Sequence, residues 1–105
     1  MTSDQGKNQP QAVEVRDNPE ASRYEIHLGG RLVGFSAYVV RPTRLVFTHT
    51  EVADALEGQG LGSKLARGAL DDVRRRGQRI TPRCPFIAAY IRRHPEYADL
   101  VDMPV

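Results

Sequence analysis

The sequence predicts a mixed α/β fold of the α+β type, with a mostly antiparallel sheet of about five strands and two main helices. Three observations support this. The first half contains four β-rich stretches separated by turn residues, a glycine-rich segment then leads into a run of helical period, and a short strand and a second helical run follow. A chain of 105 residues with 40% hydrophobic and 27% charged residues has room for one domain with a modest core.

The four strands of the first half are predicted from alternation of apolar and polar residues. The turn sequences Asp17-Asn18-Pro19, Gly29-Gly30 and Arg41-Pro42-Thr43 separate them, which predicts an antiparallel meander. The polar residues 1–11 have nothing to bury and are expected to form a disordered tail, so the single domain spans 12–105. The predicted strands are 13–16, 24–28, 32–40 and 44–52.

The second half predicts a helix, a short strand and a second helix. Leu61, Leu65, Ala69 and Val73 lie four apart on one face of a helix over 61–76, which Gly77 ends. A strand over 79–82 then follows a helical crossover and is expected to pair parallel with the fourth strand. Pro85 suits the first turn of a second helix over 86–93, which His94-Pro95 ends.

The segment Gly58-Gln59-Gly60-Leu61-Gly62 opens the first helix and is the main candidate for a binding site. Glycines at a helix start leave free N–H groups accessible, and together with the helix dipole these groups bind phosphate. The spacing matches neither a P-loop nor the dinucleotide fingerprint. A glycine-rich helix start without a ligand is the alternative interpretation.

Four segments follow one another along the chain: His49-Thr50-Glu51-Val52, Glu57-Gly58-Gln59-Gly60-Leu61-Gly62-Ser63, Cys84-Pro85-Phe86 and Tyr90-Ile91-Arg92-Arg93-His94-Pro95-Glu96-Tyr97. In this order they resemble small single-domain members of the GNAT N-acetyltransferase superfamily, and the resemblance covers Val13 to about Leu100. The resemblance implies a compact, truncated GNAT-like fold, with acetyl-CoA as acyl donor, no metal, and the pantetheine arm between strands four and five. Glu57 departs from the superfamily pattern, which has Arg or Gln there, and its carboxylate adds nothing to pyrophosphate binding. The cofactor-binding residues that the resemblance implies are Val52, Gly58, Gln59, Gly60, Leu61, Gly62 and Ser63.

The resemblance also makes Cys84 and His49 the reactive pair, with His49 as the general base or as the ion-pair partner of a thiolate. Cys84 precedes a helix N-terminus and adjoins Arg83, which favours the thiolate form. From the residues alone, Cys84 fits a buried packing role equally well. His49 has the same strand parity as Phe47, which predicts a half-buried histidine. Transfer through Cys84 and direct transfer to the amine both stay open.

These features predict an acetyl-CoA-dependent N-acetyltransferase that acts on an amine acceptor, either a small molecule or a protein. An acyl-CoA-binding or sensing module is the alternative. A small basic nucleic-acid-binding protein is the third, because residues 71–94 are rich in arginine, although they lack interleaved aromatics. Larger members of the superfamily that the chain resembles build the acceptor pocket from a pair of helices between strands one and two. Residues 17–23 are predicted to form only a turn, so the resemblance implies a site that is open or is completed in a homodimer; monomer and homodimer both fit.

The remaining expectations concern the compartment in which the protein works. One cysteine excludes an internal disulfide and fits a reducing cytoplasm. No stretch reaches the ~20 apolar residues of a membrane span, so no membrane association is expected. No metal site is expected either, because one cysteine and three histidines are too few for a structural zinc site.

Overall fold

The computed structural model describes residues 12–56 and 58–102, and its five-stranded sheet has the order β1-β2-β3-β4-β5. The first four strands pair antiparallel with their neighbours, and β5 pairs parallel with β4. The predicted fold class and the parallel last strand are therefore confirmed, whereas the predicted tail 1–11 lies outside the described residues. The strands are β1 Val13–Asn18, β2 Arg23–Leu28, β3 Arg31–Val40, β4 Leu45–Val52 and β5 Ile80–Pro82.

The two helices are α1, Leu61–Arg75, and α2, Pro85–Arg93. Gly77 adopts a φ of +69° just beyond α1, and its N–H donates to the carbonyl of Arg74, so the predicted glycine stop is confirmed. Pro85 takes the first position of α2, where a missing N–H costs no helical hydrogen bond.

Two segments differ from the sequence-based prediction. Asp17 and Asn18, expected in a turn, pair with β2 and extend β1, and a 3₁₀ helix at Pro19–Ala21 makes the turn instead. The C-terminal segment, in which no period was found, forms a 3₁₀ helix at Pro95–Leu100. Tyr97 and Leu100 are buried there because three residues make one turn of a 3₁₀ helix.

Both helices pack on one face of the sheet and share a single apolar core with it. Inward-facing residues of β2, β3 and β4 meet the apolar face of α1 and the inner residues of α2. In the described part of the chain the other face of the sheet, here called the outer face, carries no helix. The largest fully buried side chains of the core are Tyr24, Phe47, Ile26, Leu65, Leu70, Ile80, Ile87 and Val73.

A buried polar cluster joins the end of α1 to the sheet. The Tyr24 hydroxyl donates to Asp72 at 2.6 Å, and the Tyr38 hydroxyl donates to Asp17 at 2.6 Å. Arg76 contacts both carboxylates at 3.0 Å. Burial, followed by the hydrogen bond to Asp72, raises the pKa of Tyr24. The phenols therefore stay neutral donors, and the cluster fixes the helix against β1 and β2.

The outer face contains one buried carboxylate, that of Glu25, which is only 7% exposed. Asn18 and Arg23 each donate to its Oε2 at 2.9 Å, and His27 lies 3.0 Å from Oε1. The hydrogen bond from Asn18, together with those from His27 and Arg23, lowers the pKa of Glu25 to about 2, although burial opposes the shift. Glu25 is therefore ionised at neutral pH and organises the centre of this face.

Candidate active site

A pocket of about 310 Å³ lies between the end of β4 and the N-termini of the two helices. Its wall is mainly backbone and glycine on the α1 side, it is apolar on the α2 side, and β4 contributes one polar and one apolar residue. The lining residues are Thr50, Val52, Leu56, Gly58, Gly60, Leu61, Gly62, Ser63 and Phe86.

The N-terminus of α1 opens on this pocket without a side-chain cap. Gly60 is the N-cap residue, its φ is +74°, and within residues 12–56 and 58–102 no side-chain cap accepts a hydrogen bond from the first turn. The Lys64 N–H donates to the Gly60 carbonyl at 3.1 Å as the first bond of the helix. The N–H groups of residues 61–63 therefore have no helical partner, and with the positive end of the helix dipole they form a site for an anion.

Glycine is needed in this loop for two different structural reasons. Gly58 and Gly60 adopt φ values of +88° and +74°, and a β-carbon at either position would meet no atom of the residues that the structure describes within 4 Å. Their backbone therefore faces open space that a ligand can approach closely. Gly62 is helical, and a β-carbon there would lie 2.8 Å from Cζ of Phe86, so Gly62 allows the two helix N-termini to pack.

Six of the seven residues assigned to cofactor binding line this pocket, namely Val52, Gly58, Gly60, Leu61, Gly62 and Ser63. Gln59 is exposed in the loop and does not contribute to the lining, and Glu57 lies outside the described residues. Sequence reasoning missed Thr50, Leu56 and Phe86 as lining residues. Thr50 and Phe86 do fall within the segments that resemble the superfamily, which was the available signal.

The pocket lies where β4 and β5 separate. Their pairing ends at Phe47 and Pro82, whereas β4 continues to Val52. The Cys84 N–H donates to the Phe47 carbonyl at 2.9 Å, and the chain then turns into α2. Residues 48–52 of β4 therefore run beyond the paired part of β5, and the space between strand and helix is accessible from the pocket.

Cys84 is buried behind Thr50. Cys84 is only 1% exposed, and its Sγ lies 3.2 Å from the Thr50 Oγ1. Thr50 Oγ1 also lies 2.9 Å from the Oγ of the buried Ser36. Thr50, a residue of the pocket wall, is thus the middle member of three hydrogen-bonding groups, here called the hydroxyl chain (Ser36, Thr50 and Cys84).

The structure does not bring His49 to Cys84. The pairing of β3 with β4 shifts between Ala37 and Tyr38, so Thr48 is an extra residue between the pairs Tyr38–Phe47 and Ala37–His49. This bulge reverses which side chains of β4 face the core. The prediction that His49 is half-buried, which followed from its parity with Phe47, is therefore wrong. The side chain of His49 is 59% exposed on the outer face, and its Nε2 lies 2.7 Å from Glu51 Oε2.

A second groove continues from the pocket along α1, with Ser63 common to both. Its volume is about 240 Å³, and its lining includes Lys64 and Arg67 from α1 and Tyr90 and His94 beside them. The Tyr90 and His94 rings stack with centroids 4.0 Å apart. Burial raises the pKa of Tyr90, so its phenol stays neutral while the groove keeps two cationic side chains.

Several arginines of the basic stretch 71–94 have acidic or carbonyl partners within the domain. Arg74 forms a two-pronged contact with Asp99 at 2.8 and 3.0 Å, and Arg75 and Arg76 both contact Asp72. Arg79 donates to a backbone carbonyl at 2.9 Å. These side chains bind the C-terminal 3₁₀ helix and the buried polar cluster to the domain.

Among the described residues, no helix is long and apolar enough to cross a membrane. The same residues contain no group of three or more His, Cys, Asp and Glu side chains arranged to hold a metal ion.

Comparison with known proteins gives one consistent result. The family model described as GCN5-related N-acetyl-transferase matches residues 23–100. A protein called NATD1 from Xenopus tropicalis is 29% identical over 87 residues, which cover 80% of this chain and 79% of the relative. The proteins of the same name from Gallus gallus and Mus musculus are each 31% identical and cover 79% of this chain and 77% of their own length.

Proposed function

The chain belongs to the GCN5-related N-acetyltransferase family, and we propose that it transfers an acetyl group from acetyl-CoA to an amine. The observation that carries this proposal is the uncapped N-terminus of α1, whose glycines open on a pocket beside the separation of β4 and β5. Such a site combines anion-binding N–H groups with an adjoining apolar wall, which matches a molecule with a pyrophosphate and an uncharged arm.

The residues present fit acetyl-CoA in three parts. The N–H groups of residues 61–63 would hold the pyrophosphate, because Gly58 and Gly60 leave open space above them. The wall formed by Val52 and Phe86 would hold the pantetheine arm. Lys64 and Arg67 in the second groove would hold the phosphorylated nucleotide end.

Acetyl-CoA supplies an acetyl thioester. The amine nitrogen forms a bond to the acyl carbon, and the C–S bond breaks. The substrate ammonium loses two protons in all: one ends on the CoA thiol, and the other goes to a base. The burial of Cys84 behind Thr50 favours direct transfer to the amine, since a nucleophilic thiol needs access to the acyl carbon. In this proposal Cys84 positions Thr50, a residue that lines the pocket. His49 and Glu51, 2.7 Å apart on the outer face, accept the proton of the ammonium.

Calorimetry with acetyl-CoA, together with a thiol-release assay on an amine, tests the proposal. We expect wild-type protein to bind acetyl-CoA, and Arg67→Gln to weaken binding by roughly two- to five-fold, as expected for one exposed ion pair. Arg16→Gln is the matched control, because Arg16 is an exposed arginine on β1, away from both grooves. Absence of binding by the wild-type protein would contradict the proposal.

A further inference from the structure

A third groove, here called the acidic groove, lies at the opposite side of the end of β4 from the acetyl-CoA pocket. Its volume is about 360 Å³, which is within the roughly 300–1,000 Å³ of small-molecule clefts. Val52 lines both the acidic groove and the pocket, so only the end of one strand separates them. The acidic groove is lined by Leu32, Val33, Gly34, Phe35, Glu51, Val52, Ala53 and Asp54.

The lining combines apolar surface with two carboxylates. Leu32 is 46% exposed, although it is a large apolar residue, and the half-buried ring of Phe35 lies beside it on β3. Glu51 and Asp54 are both exposed and provide the charged side chains of the lining, which contains no Lys, Arg or His among the described residues. A complementary ligand therefore carries positive charge at two points on an aliphatic chain.

Gly34 lies where the two strands that line this groove are closest together. A β-carbon at Gly34 would lie 2.7 Å from the backbone oxygen of Glu51, so glycine lets β3 and β4 approach closely here. Glu51 also lies 2.7 Å from His49, the pair assigned above to the ammonium proton. A cation in the groove would thus contact the same carboxylate that receives its proton.

The surroundings of the acidic groove favour a small ligand over a basic protein tail. Arg31 is exposed at the residue preceding Leu32, and the Arg23 guanidinium lies over the Phe35 ring at 4.8 Å. A lysine-rich segment that extended beyond the groove would meet these cations with further charges, whereas both charges of a short dication lie at the two carboxylates of the groove.

We propose that the acidic groove binds the acetyl acceptor, and that this acceptor is a small linear aliphatic diamine. One ammonium contacts Glu51, gives a proton to it, and then reaches the acyl carbon around the end of β4, where Val52 lines both the groove and the pocket. The other contacts Asp54, and the methylene chain lies against Leu32 and Phe35. The proposal rests on the proposed transferase function and adds the class of its second substrate.

The test uses 1,4-diaminobutane and 1,5-diaminopentane, with the alkylamines of the same chain lengths as singly charged controls. We expect wild-type kcat/KM to be higher for each diamine than for its monoamine. Asp54→Asn should raise KM for the diamines roughly two- to five-fold and leave the monoamines and the Kd for acetyl-CoA unchanged. Glu20→Gln, which removes an exposed carboxylate from the turn after β1, should change none of these values.

Binding is located independently of transfer by NMR titration of wild-type protein with 1,4-diaminobutane alone. The amide signals of Leu32, Phe35 and Asp54 should shift, and the shifts should need more ligand in Asp54→Asn. If acetyl-CoA binds but these signals do not move, or if Asp54→Asn affects both amine classes equally, the groove assignment is wrong. More efficient acetylation of a lysine-rich peptide than of the diamines also overturns it. If acetyl-CoA itself does not bind, the transferase function fails, and the acceptor role fails with it.

Discussion

Two glycines at opposite ends of α1 allow a matched test of the loop. Gly60 and Gly77 have φ values of +74° and +69°, and a β-carbon at either would meet no atom within 4 Å. Gly60→Ala and Gly77→Ala should therefore carry the same strain, about 1 kcal/mol for an L-residue in the left-handed region. For a domain of this size that cost lowers the midpoint of thermal unfolding by roughly 4–8 °C in each variant.

Only Gly60 faces the pocket, so only its variant should lose the ligand. Acetyl-CoA at a hundred times its Kd should stabilise the wild-type protein by about 2.7 kcal/mol, and Gly77→Ala by the same amount. In Gly60→Ala we expect at least a tenfold weaker Kd, or about 1.4 kcal/mol, because the added methyl group stands where the backbone approaches the pyrophosphate. Thermal melts and calorimetry with acetyl-CoA measure both effects. Equal Kd values in the two variants would refute the assignment of the loop to pyrophosphate binding.

Two further predictions concern Cys84 and Glu25. Because the Cys84 thiol is buried, Cys84→Ala should transfer acetyl groups nearly as fast as wild type. For the same reason, intact-protein mass spectrometry of wild-type protein incubated with acetyl-CoA should show no hydroxylamine-labile acetyl group. An acetyl group on Cys84 would contradict direct transfer. The folded-state pKa of Glu25, about 2, is below its ordinary value of 4.5, so its contribution to the free energy of unfolding is complete above pH 4.5 and is lost as the pH falls towards 2. Denaturant titrations of wild type and Glu25→Gln should therefore converge over this range, whereas the exposed control Glu14→Gln should run parallel to wild type; a constant difference for Glu25→Gln would refute the ion-pair account.

The fold was predictable because its signals are local. The α1 residues that face the core of the domain include Leu61, Leu65, Ala69 and Val73, as their spacing predicted. Gly77 adopts the positive φ that its place after the helix indicated. The parallel pairing of β5 with β4 followed from a single helical crossover. The helical period, the glycine after the helix and the length of the crossover each depend on residues that are near in sequence, so a single sequence is enough to predict them.

The candidate site was predictable only in its glycine loop. The bulge at Thr48 adds one residue without a glycine, a proline or a change in composition, so alternation extended from Phe47 assigns His49 to the wrong face. The contact of Thr50 with Cys84 is equally hidden, because it joins residues 34 positions apart. Such contacts depend on the register between strands, which one chain's local pattern does not determine.

The bulge also explains how the end of a single strand can serve two binding sites. Without the extra residue at Thr48, the alternation that buries Phe47 would turn His49 and Glu51 towards the core and Thr50 towards solvent. With it, Thr50 faces the pocket and contacts Cys84, while His49 and Glu51 face the acidic groove side of the sheet. The reversal occurs where the pairing with β5 ends, so both faces of β4 are accessible at the same place. Under the proposed function, the thioester is held on the inner side of β4. The ammonium loses its proton on the outer side, and the neutral amine then reaches the acyl carbon around the end of the strand. The carboxylate that takes this proton therefore stays in water, and the enzyme avoids burying an unpaired charge beside the acyl group.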